Sequence, residues 1–512
     1  MFSPLVFPEY QSLTTHRAPA RPPFSSQLTG DGENAGTVGQ CGSDRTRASH
    51  PQDSRPLVQA TATAVPSLRT NTVWTLAGNL VHAAAQWGMI IAVARLGGTT
   101  MLASYALVLA LVTPLFQLSN LNLRSICITD TPARFRSSDY LVLRGLTGCL
   151  ALALVFVSPL LWPQFWHLFP LMVALSLVRV AEAFSDILHG FHHQREQMQL
   201  IAVARALRAL LSLVTVTVLL FCQTSLATAV GGVALVHTLF LLLMDIPNAR
   251  RIPRVSVSAG SPRVFHHRRV ATLLLLALPL GLNAALLALN SNLPRYVIAY
   301  YLDAAELAYF AAAAYLLVIT DLIVRSAHQT ALPRLAKLAP EGRLREFRQV
   351  LLKLVLLGCL CATPLLVVVW LGGEDLLGWI YGSEYRHVAQ VFLWLMVANF
   401  VWHTSIPTTA LLALRYYWST FAIRAGSTLL ILAAAILWVP CFGLLGAAWA
   451  VLAGKTATAV GTGVVTVWAL RRLRPAPLSD SSRCQGAAGA VRRYDVAGRF
   501  RWKCDPHASP SS

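Results

Sequence analysis

Charged side chains interrupt several long apolar stretches of this sequence, and their types indicate what they could bind. One stretch carries Arg179, Glu182 and Asp186 at i, i+3 and i+7, so a helix would hold all three on one stripe. The next apolar stretch opens with Arg205 and Arg208. Guanidinium groups bind phosphate through paired, charge-assisted hydrogen bonds. Because arginines outnumber carboxylates in these stretches, a cavity lined by them would attract anions.

Further polar groups extend the pattern. Asp321 and Arg325 form an i, i+4 pair that could neutralise itself on one helix. Asn283 and Asn290, at i, i+7, could add neutral hydrogen-bond donors to the same cavity. Arg295 follows a proline and lies either near the outer mouth of the cavity or at the membrane interface as an anchor beside tyrosines.

Structural explanations compete with the binding one. The stripe of Arg179, Glu182 and Asp186 could be an internal ion-pair stack, and such a stack is compatible with lining a cavity. Arg205 could extend its side chain outward to the helix end. Arg208 lies one turn deeper, so a water-filled cavity is favoured there.

These stretches have the length and composition of membrane-spanning helices. The 512 residues are 55% hydrophobic and only 12% charged, whereas soluble domains carry about 25% charged residues. About 20 apolar residues suffice to cross a bilayer as a helix. We expect twelve spans, at residues 72–94, 100–123, 143–162, 167–188, 199–221, 225–246, 270–299, 305–329, 350–371, 388–412, 416–438 and 443–469.

Basic residues fall almost entirely on one side of these predicted spans. An even number of spans places both termini on one side, and the arginine-rich loops lie on that side too. The positive-inside bias therefore predicts cytoplasmic termini. It also explains the net charge of +20 without nucleic-acid binding, which we exclude because neither tail mixes basic and aromatic residues densely.

The two halves of the chain resemble each other. LASYA (102–106) recurs as LAYFA (307–311), and GGVA (231–234) as GAAW (446–449). Copies of six spans each would be a parallel repeat, which transporters use to set two bundles around a central site. The predicted organisation is a disordered cytoplasmic head (1–68), two six-helix bundles (70–247 and 270–470) joined by a cytoplasmic linker (248–269), and a disordered cytoplasmic tail (474–512).

Motifs for several other functions are missing from the sequence. It contains no phosphate-binding loop of the G-x-x-x-x-G-K-[ST] type, no G-x-S-x-G and no H-E-x-x-H. The nine cysteines form no CxxC, and we expect HGFHHQRE (189–196) to be a solvated loop, so neither a metal site nor a cofactor is expected. The outer loop at 371–387 is short for a glycan polymerase. The sequence therefore predicts a protein that is not an enzyme.

Several segments resemble one family in order and spacing. They are NTVWTLAGN (71–79), SNLNLRS (119–125), DYLVLRGLT (139–147), EAFSDILHG (182–190), SNLPRYVIAYYL (291–302), QTALPRLAK (329–337) and CFGLLGAAWA (441–450). These resemble Wzx-type lipopolysaccharide and polysaccharide flippases of the multidrug/oligosaccharidyl-lipid/polysaccharide (MOP) exporter superfamily. Members usually start just before the first span, so the head departs from the pattern.

The resemblance implies an all-α fold of about twelve transmembrane helices, in two bundles around a cationic cavity that opens alternately to each side of the bacterial inner membrane. It implies an undecaprenyl-diphosphate-linked oligosaccharide as substrate, for O-antigen, lipopolysaccharide or exopolysaccharide synthesis. Membrane lipids, a glycan polymerase and chain-length machinery would be its partners. The alternatives are a cation-coupled multidrug exporter, which would favour an acidic cavity, and a membrane glycan polymerase.

The resemblance also implies roles for the charged residues in the spans. The membrane acids would form a proton or sodium coupling site, and the cations and amides would contact the diphosphate or glycan. The candidate binding residues are Arg124, Arg179, Arg205, Arg208, Asn283, Asn290, Arg295 and Arg325. The candidate ion-coupling residues are Glu182, Asp186 and Asp321.

Overall fold

A computed structural model describes residues 68–129, 135–195, 197–252, 267–339, 341–414, 416–472, 491–494 and 500–503. The predicted head and most of the predicted linker and tail lie outside the described residues. The side chain of Arg325 is also outside the description, although its backbone lies in a helix.

Helices make up nearly all of the described chain. They are α1 (Leu68–Asn120), α2 (Leu123–Thr129), α3 (Ser137–Leu161), α4 (Phe169–His193), α5 (Met198–Phe221), α6 (Leu226–Phe240), α7 (Ile246–Arg250), α8 (His267–Tyr301), α9 (Ala304–Tyr315), α10 (Val318–Leu338), α11 (Leu344–Ile380), α12 (Ala389–Thr404), α13 (Thr409–Ala413) and α14 (Tyr417–Arg472). A π-helical turn, Leu241–Asp245, joins α6 to α7. Strands β1 (Val491–Tyr494) and β2 (Phe500–Lys503) pair antiparallel within the predicted tail.

Nine helical segments of the described residues are long and apolar enough to cross a membrane. The longest helices, α1 with 53 residues and α14 with 56, each contain one glycine with a left-handed backbone, Gly98 (φ 69°) and Gly443 (φ 58°). Glycine adopts this conformation without steric cost. The two glycines fall at the predicted boundaries between spans one and two and between spans eleven and twelve. The all-α membrane fold is thus confirmed, while the count of twelve stays a prediction.

Two predicted spans are broken rather than continuous. The span predicted at 305–329 is divided between α9 and α10, and the span predicted at 388–412 is divided between α12 and α13. Pro407 lies in the second break, where its ring could not continue a helix. The broken helices pack on one another, α9 on α12 and α10 on α13.

The internal repeat is visible in the arrangement of elements. A six-residue 3₁₀ helix, Pro163–Leu168, directly precedes α4, and another of six residues, Ser383–Val388, directly precedes α12. In the first half α1 packs on α5, and in the second α8 packs on α14. In both halves, therefore, the first predicted span packs against the helix that contains the fifth.

The largest apolar core contains residues from both halves. Buried members include Leu102 and Val216 of the first half and Phe310, Phe392 and Ala447 of the second. Many other large apolar side chains are exposed along the helices, as expected for surfaces that face lipid. The packed core thus fixes the helices whose polar residues form the site below.

The expected loop at 189–196 is wrong for most of its length. Residues 189–193 belong to α4, and His189 and His192 are buried. Their partners explain the burial, because His189 Nε2 lies 3.1 Å from Asp245 Oδ1 and His192 Nδ1 lies 2.9 Å from Gln197 Oε1. Hydrogen bonds of this kind satisfy polar rings that composition alone assigns to solvent.

Candidate functional site

Arg205 is held by the first helix of its own half. It is the eighth residue of α5, about 10 Å from the helix start at 1.5 Å per residue. Its Nη1 donates to Asn79 Oδ1 of α1 at 3.0 Å. Among the described residues it forms no salt bridge, and it is half-buried. A neutral amide partner orients the guanidinium and leaves its charge uncompensated.

The second half repeats this contact with different residues. Arg424 is the eighth residue counted from the start of α14, and its Nη1 donates to Asn283 Oδ1 of α8 at 3.0 Å. The positions correspond, because α8 and α14 pair in this half as α1 and α5 pair in the first. Asn283 was a candidate on sequence grounds, whereas Arg424 was missed. A single arginine in the apolar run FAIRAGSTLL was the signal available.

Asp186 of α4 lies between two other arginines, one on α2 and one on α3. Arg124 Nη1 is 3.1 Å from Asp186 Oδ1, and Arg144 Nη2 is 3.9 Å from Oδ2. The Arg144 side chain is only 1% exposed, and its Nη1 donates to Asn120 Oδ1 at 2.7 Å. Asp186 therefore balances the positive charges of arginines on α2 and α3, and it does not pair with Arg179 of its own helix.

Arg179 and Glu182 form the ion pair expected within the stripe. Arg179 Nη1 is 2.8 Å from Glu182 Oε2. Both side chains also line a small cavity, together with His237 of α6. The stacking and cavity-lining interpretations are therefore compatible for these two residues.

Arg208 does not lie in an open cavity. Its side chain is 8% exposed, and its Nη1 is 3.7 Å from Oδ2 of Asp245, whose side chain is 3% exposed. His189 contacts the other oxygen of the same carboxylate at 3.1 Å. Asp245 ends the π-helical turn, a feature that is frequent at functional sites. The geometry gives Arg208 a buried acidic partner that its own helix does not contain.

Arg295 is buried rather than interfacial. It is 8% exposed, donates to Asn292 Oδ1 at 2.7 Å, and lies over the ring of Tyr315 with 4.8 Å between Cζ and the ring centroid. The hydroxyl of the next residue, Tyr296, donates to the carbonyl oxygen of Ala110 in the first half. Arg295 thus lies at the contact between the two halves.

The remaining candidates lie in the second half. Asn290 donates to Ser427 Oγ at 3.1 Å and Thr428 Oγ1 at 3.2 Å, which joins α8 to α14. Asp321 Oδ1 is 2.9 Å from His403 Nε2, so the acid meets a histidine of α12. Whether Arg325 also pairs with Asp321 stays a prediction, since its side chain is outside the described residues.

Sequence reasoning also missed a lysine in the middle of α14. Lys455 Nζ donates to Asn399 Oδ1 of α12 at 2.9 Å, and Asn399 is fully buried. It interrupts the apolar run VLAGKTATAV, so the signal was again a single charge. With Arg205 and Arg424, it shows a recurrent pairing of a cation with an asparagine on a neighbouring helix. Each of these asparagines orients a cation through a neutral amide oxygen.

Arg95 of α1 connects the two halves at the C-terminal end of α11. Its Nε donates to the carbonyl oxygen of Ile380 at 2.9 Å, and its Nη2 donates to those of Trp379 and, at 3.4 Å, Gly378. These carbonyls end α11, where a helix lacks intrahelical donors and carries partial negative charge. Trp87 Nε1 reinforces the contact by donating to the Tyr381 hydroxyl at 3.3 Å. We call these contacts the outer latch, after the side of the membrane on which the sequence predicts this end to lie.

Replacing Arg95 with alanine should open this end of the molecule. A charge-assisted hydrogen bond contributes about 1.5–3 kcal/mol, so the closed state should lose about tenfold or more in population. The reporter is a Leu377→Cys thiol in a chain whose native cysteines are replaced by alanine. Leu377 is fully buried and directly precedes Gly378 of the latch. Its labelling by a membrane-impermeant maleimide should accelerate by about that factor.

Arg386 provides the matched control for the latch. Its side chain lies against Gly378 but forms no hydrogen bond to the latch carbonyls among the described residues, and it pairs with exposed Asp375 at 3.4 Å, with side chains 57% and 84% exposed. Exposed pairs contribute little, so Arg386→Ala should leave the labelling rate unchanged. Equal rates for the Arg95→Ala protein and the parent would show that the contacts of Arg95 do not hold this end closed.

Comparison with known proteins agrees with this architecture. The multidrug resistance MATE family transporter of the MOP superfamily in its inward-facing conformation superimposes with a TM-score of 0.61, at 12% identity, over 79% of this chain and 95% of that one. The lipid II flippase MurJ in an inward closed conformation gives 0.62, also at 12% identity, over 79% and 90%. At these identities the likeness concerns the fold alone, and it confirms the MATE-like arrangement.

Sequence comparison identifies the family. Capsular polysaccharide biosynthesis protein CapF of Staphylococcus aureus is 24% identical over 375 residues, which cover 72% of this chain and 92% of CapF. A family model described as "Polysaccharide biosynthesis protein" matches residues 68–339, more than half of the 512 residues. The resemblance inferred from sequence motifs is thereby confirmed: this chain belongs to the polysaccharide biosynthesis protein family and has the fold of the MOP superfamily.

Proposed function

We propose that this protein is a flippase for an undecaprenyl-diphosphate-linked oligosaccharide. It moves the lipid-linked repeat unit from the cytoplasmic to the outer leaflet of the bacterial inner membrane, for synthesis of O-antigen, lipopolysaccharide or exopolysaccharide. Both termini are cytoplasmic. Movement occurs by alternating access of the two halves and is coupled to an ion gradient.

The observation that carries this proposal is the pair of asparagine-held arginines, Arg205 and Arg424. Each lies about 10 Å into a helix, counted from its start. Arg205 is held by a neutral amide that does not remove its charge, and Arg424 donates to an amide at the equivalent position of the second half. A diphosphate is the part of the proposed substrate that such guanidiniums recognise, through bidentate bonds. The sugars carry hydroxyls, which suit the neutral donors nearby.

The outer latch supports alternating access. With α1 and α11 joined at that end, substrate would enter from the cytoplasmic side, where the lipid-linked precursor is made. Opening of the latch and closure of the cytoplasmic side would then expose the same arginines outward. The diphosphate thereby crosses the apolar core while it is bound to cations, which lowers the cost of burying its charge.

A multidrug exporter is the strongest alternative on grounds of fold, and charge argues against it. Cationic drugs require carboxylates that are available to them. In the described spans, Glu182, Asp186 and Asp245 each already face an arginine. A glycan polymerase would require catalytic groups on an outer loop, and the turn between α11 and α12 contributes only a short 3₁₀ helix.

Deletion of the gene should separate these functions. A strain without the flippase should lose surface glycan and accumulate lipid-linked single repeat units on the cytoplasmic leaflet. Radiolabelled lipid extracts, and accessibility of the units to a lectin in right-side-out vesicles, measure both effects. Single units that accumulate on the outer leaflet would instead indicate a polymerase. Unchanged glycan with raised drug sensitivity would indicate a drug exporter.

The orientation makes a separate prediction. Reporter fusions at residues 260 and 340 should show cytoplasmic activity, because basic loops stay inside, and a fusion at residue 380 should show periplasmic activity. Paired alkaline phosphatase and fluorescent protein fusions report the two sides oppositely. The fusion at 260 is the sharpest test, since a periplasmic signal there would reverse the twelve-span arrangement.

A further inference from the structure

A small cavity lies among the helices of the N-terminal half. It has a volume of about 30 Å³ and is lined by residues of α1, α4, α5 and α6. Its polar lining consists of Gln86, Tyr105, Arg179, Glu182 and His237. A cavity needs about 10–15 Å³ to hold one water molecule. The cavity therefore has room for water but not for a lipid-linked sugar, and it is distinct from the arginine pairs proposed to bind the diphosphate.

The hydrogen bonds of Ser212 define which ring nitrogen of His237 carries the proton. The Ser212 hydroxyl donates to the carbonyl oxygen of Arg208 at 2.8 Å, and a hydroxyl has only one proton to donate. Its oxygen therefore accepts from Nε2 of His237, 3.1 Å away. A neutral histidine that donates from Nε2 has a lone pair at Nδ1.

Two acceptors consequently face each other in the cavity. Nδ1 of His237 is 3.7 Å from Oε1 of Glu182 and has no hydrogen-bond partner among the described residues. The histidine is 3% exposed, so bulk water does not compensate the lone pair. One added proton on Nδ1 would convert this contact into an attraction between an imidazolium and a carboxylate.

The surrounding charges favour a proton over a metal cation. The groups facing His237 are Glu182 and Arg179 from α4, Arg208 from α5 and His82 from α1. A hard cation requires about six oxygen ligands. Here the one carboxylate is already bonded through Oε2 to Arg179, and Arg208 adds a second positive charge nearby. A proton needs only the lone pair of Nδ1 and the counter-charge of Glu182, which opposes the effect of burial and of the two arginines on the imidazolium.

We infer that Glu182 and His237 form a proton-binding site in the N-terminal half. The proton arrives as a hydronium ion: its O–H bond breaks, a bond to Nδ1 of His237 forms, a water molecule leaves, and the contact with Oε1 of Glu182 retains the proton. The step involves no oxidation or reduction, and the site gains one positive charge. Its role as the coupling site for transport rests on the proposed function, whereas the binding of the proton does not.

Proton binding at this site would reach the contact between the halves. Once His237 is charged, the Glu182 carboxylate interacts with both the imidazolium and Arg179, so the ion pair between Glu182 and Arg179 weakens. Arg179 lines the cavity together with Tyr105 of α1, and the carbonyl oxygen of Ala110 in the same helix accepts from the Tyr296 hydroxyl of the second half. The proton thus changes the electrostatic balance at the place where the two halves meet.

Nuclear magnetic resonance of the full chain, labelled with ¹⁵N-histidine in lipid nanodiscs, tests the site without a substrate. The signal that disappears in the His237→Gln protein identifies His237. At pH 8 this ring should carry its proton on Nε2, and when the pH is lowered to 4 the form with both nitrogens protonated should appear. In Glu182→Gln, the ring should stay neutral at pH 4. His167, exposed on the 3₁₀ helix before α4, should respond equally in both proteins.

Two results would overturn the inference. One is a proton on Nδ1 at pH 8, and the other is identical protonation at pH 4 in the parent and Glu182→Gln proteins. Should His237→Gln fail to fold, Ser212→Ala identifies the signal instead, because it removes the acceptor of Nε2–H. Failure of the proposed function is distinguishable, since proteoliposomes could then show the same protonation but no glycan movement under a pH gradient.

Discussion

Alanine in place of Arg205 or Arg424 is expected to reduce glycan export by about tenfold to a hundredfold, the range that corresponds to losing one charge-assisted contact. Neither residue is fully buried, and each donates to an asparagine of a neighbouring helix. Because alanine leaves only a neutral amide without its donor at those contacts, protein levels in the membrane should stay normal. Surface glycan per unit of membrane protein is the quantity to measure.

Lysine variants refine this test. Lysine keeps the positive charge but loses the planar fork that binds phosphate at two points, so Arg205→Lys and Arg424→Lys should recover only part of the export. Asn79→Ala and Asn283→Ala should cause smaller losses, because the arginine stays but is no longer held at 3.0 Å. These graded effects would distinguish positioning from direct binding.

Arg471 supplies a control of equal charge. It is exposed in the last turn of α14, so Arg471→Ala changes the net charge without altering the proposed cavity and should export normally. Wild-type glycan in both Arg205→Ala and Arg424→Ala would refute binding of the diphosphate by these residues. It would leave the family assignment in place, since that rests on residues 68–339 as a whole.

The fold was largely predictable because its signal is repeated in every span. Apolar runs of sufficient length, and basic loops on one side, require only composition and order. The breaks were harder to predict. Pro407 was a visible signal for the interruption between α12 and α13, whereas α9 and α10 are separated at Leu316 and Leu317, whose types give no such indication.

The site was predictable in kind but not in its partners. Arg179 and Glu182 share one helix, so their spacing was enough to predict the pair. The partners of Asp186 are on α2 and α3, and that of Arg424 is on α8. Pairing across helices depends on packing, which spacing along one helix does not encode. Single charges such as Lys455 were visible in the sequence, but no second charged residue lies at helical spacing from them to indicate a partner.

Arg208 illustrates the consequence most clearly. Its depth and the lack of an acid on its own helix predicted a substrate contact. The structure instead places the Asp245 carboxylate 3.7 Å away, with both side chains buried. Removal of one partner from a buried pair leaves an uncompensated charge and costs about 3–5 kcal/mol. Arg208→Ala should therefore lower the thermal stability of the purified protein and its amount in the membrane.

Neutralising the partner should reverse this loss. In Arg208→Ala/Asp245→Asn the buried carboxylate is gone, and the asparagine can still hydrogen-bond His189, which lies 3.1 Å from the acid in the parent protein. The double variant should regain most of the melting temperature and membrane level. A substrate arginine would behave differently, since Arg208→Ala would then keep its stability, lose export, and gain nothing from Asp245→Asn. Melting temperature and surface glycan, measured together on the four proteins of this cycle, therefore decide whether Arg208 supports the N-terminal half or contacts the diphosphate.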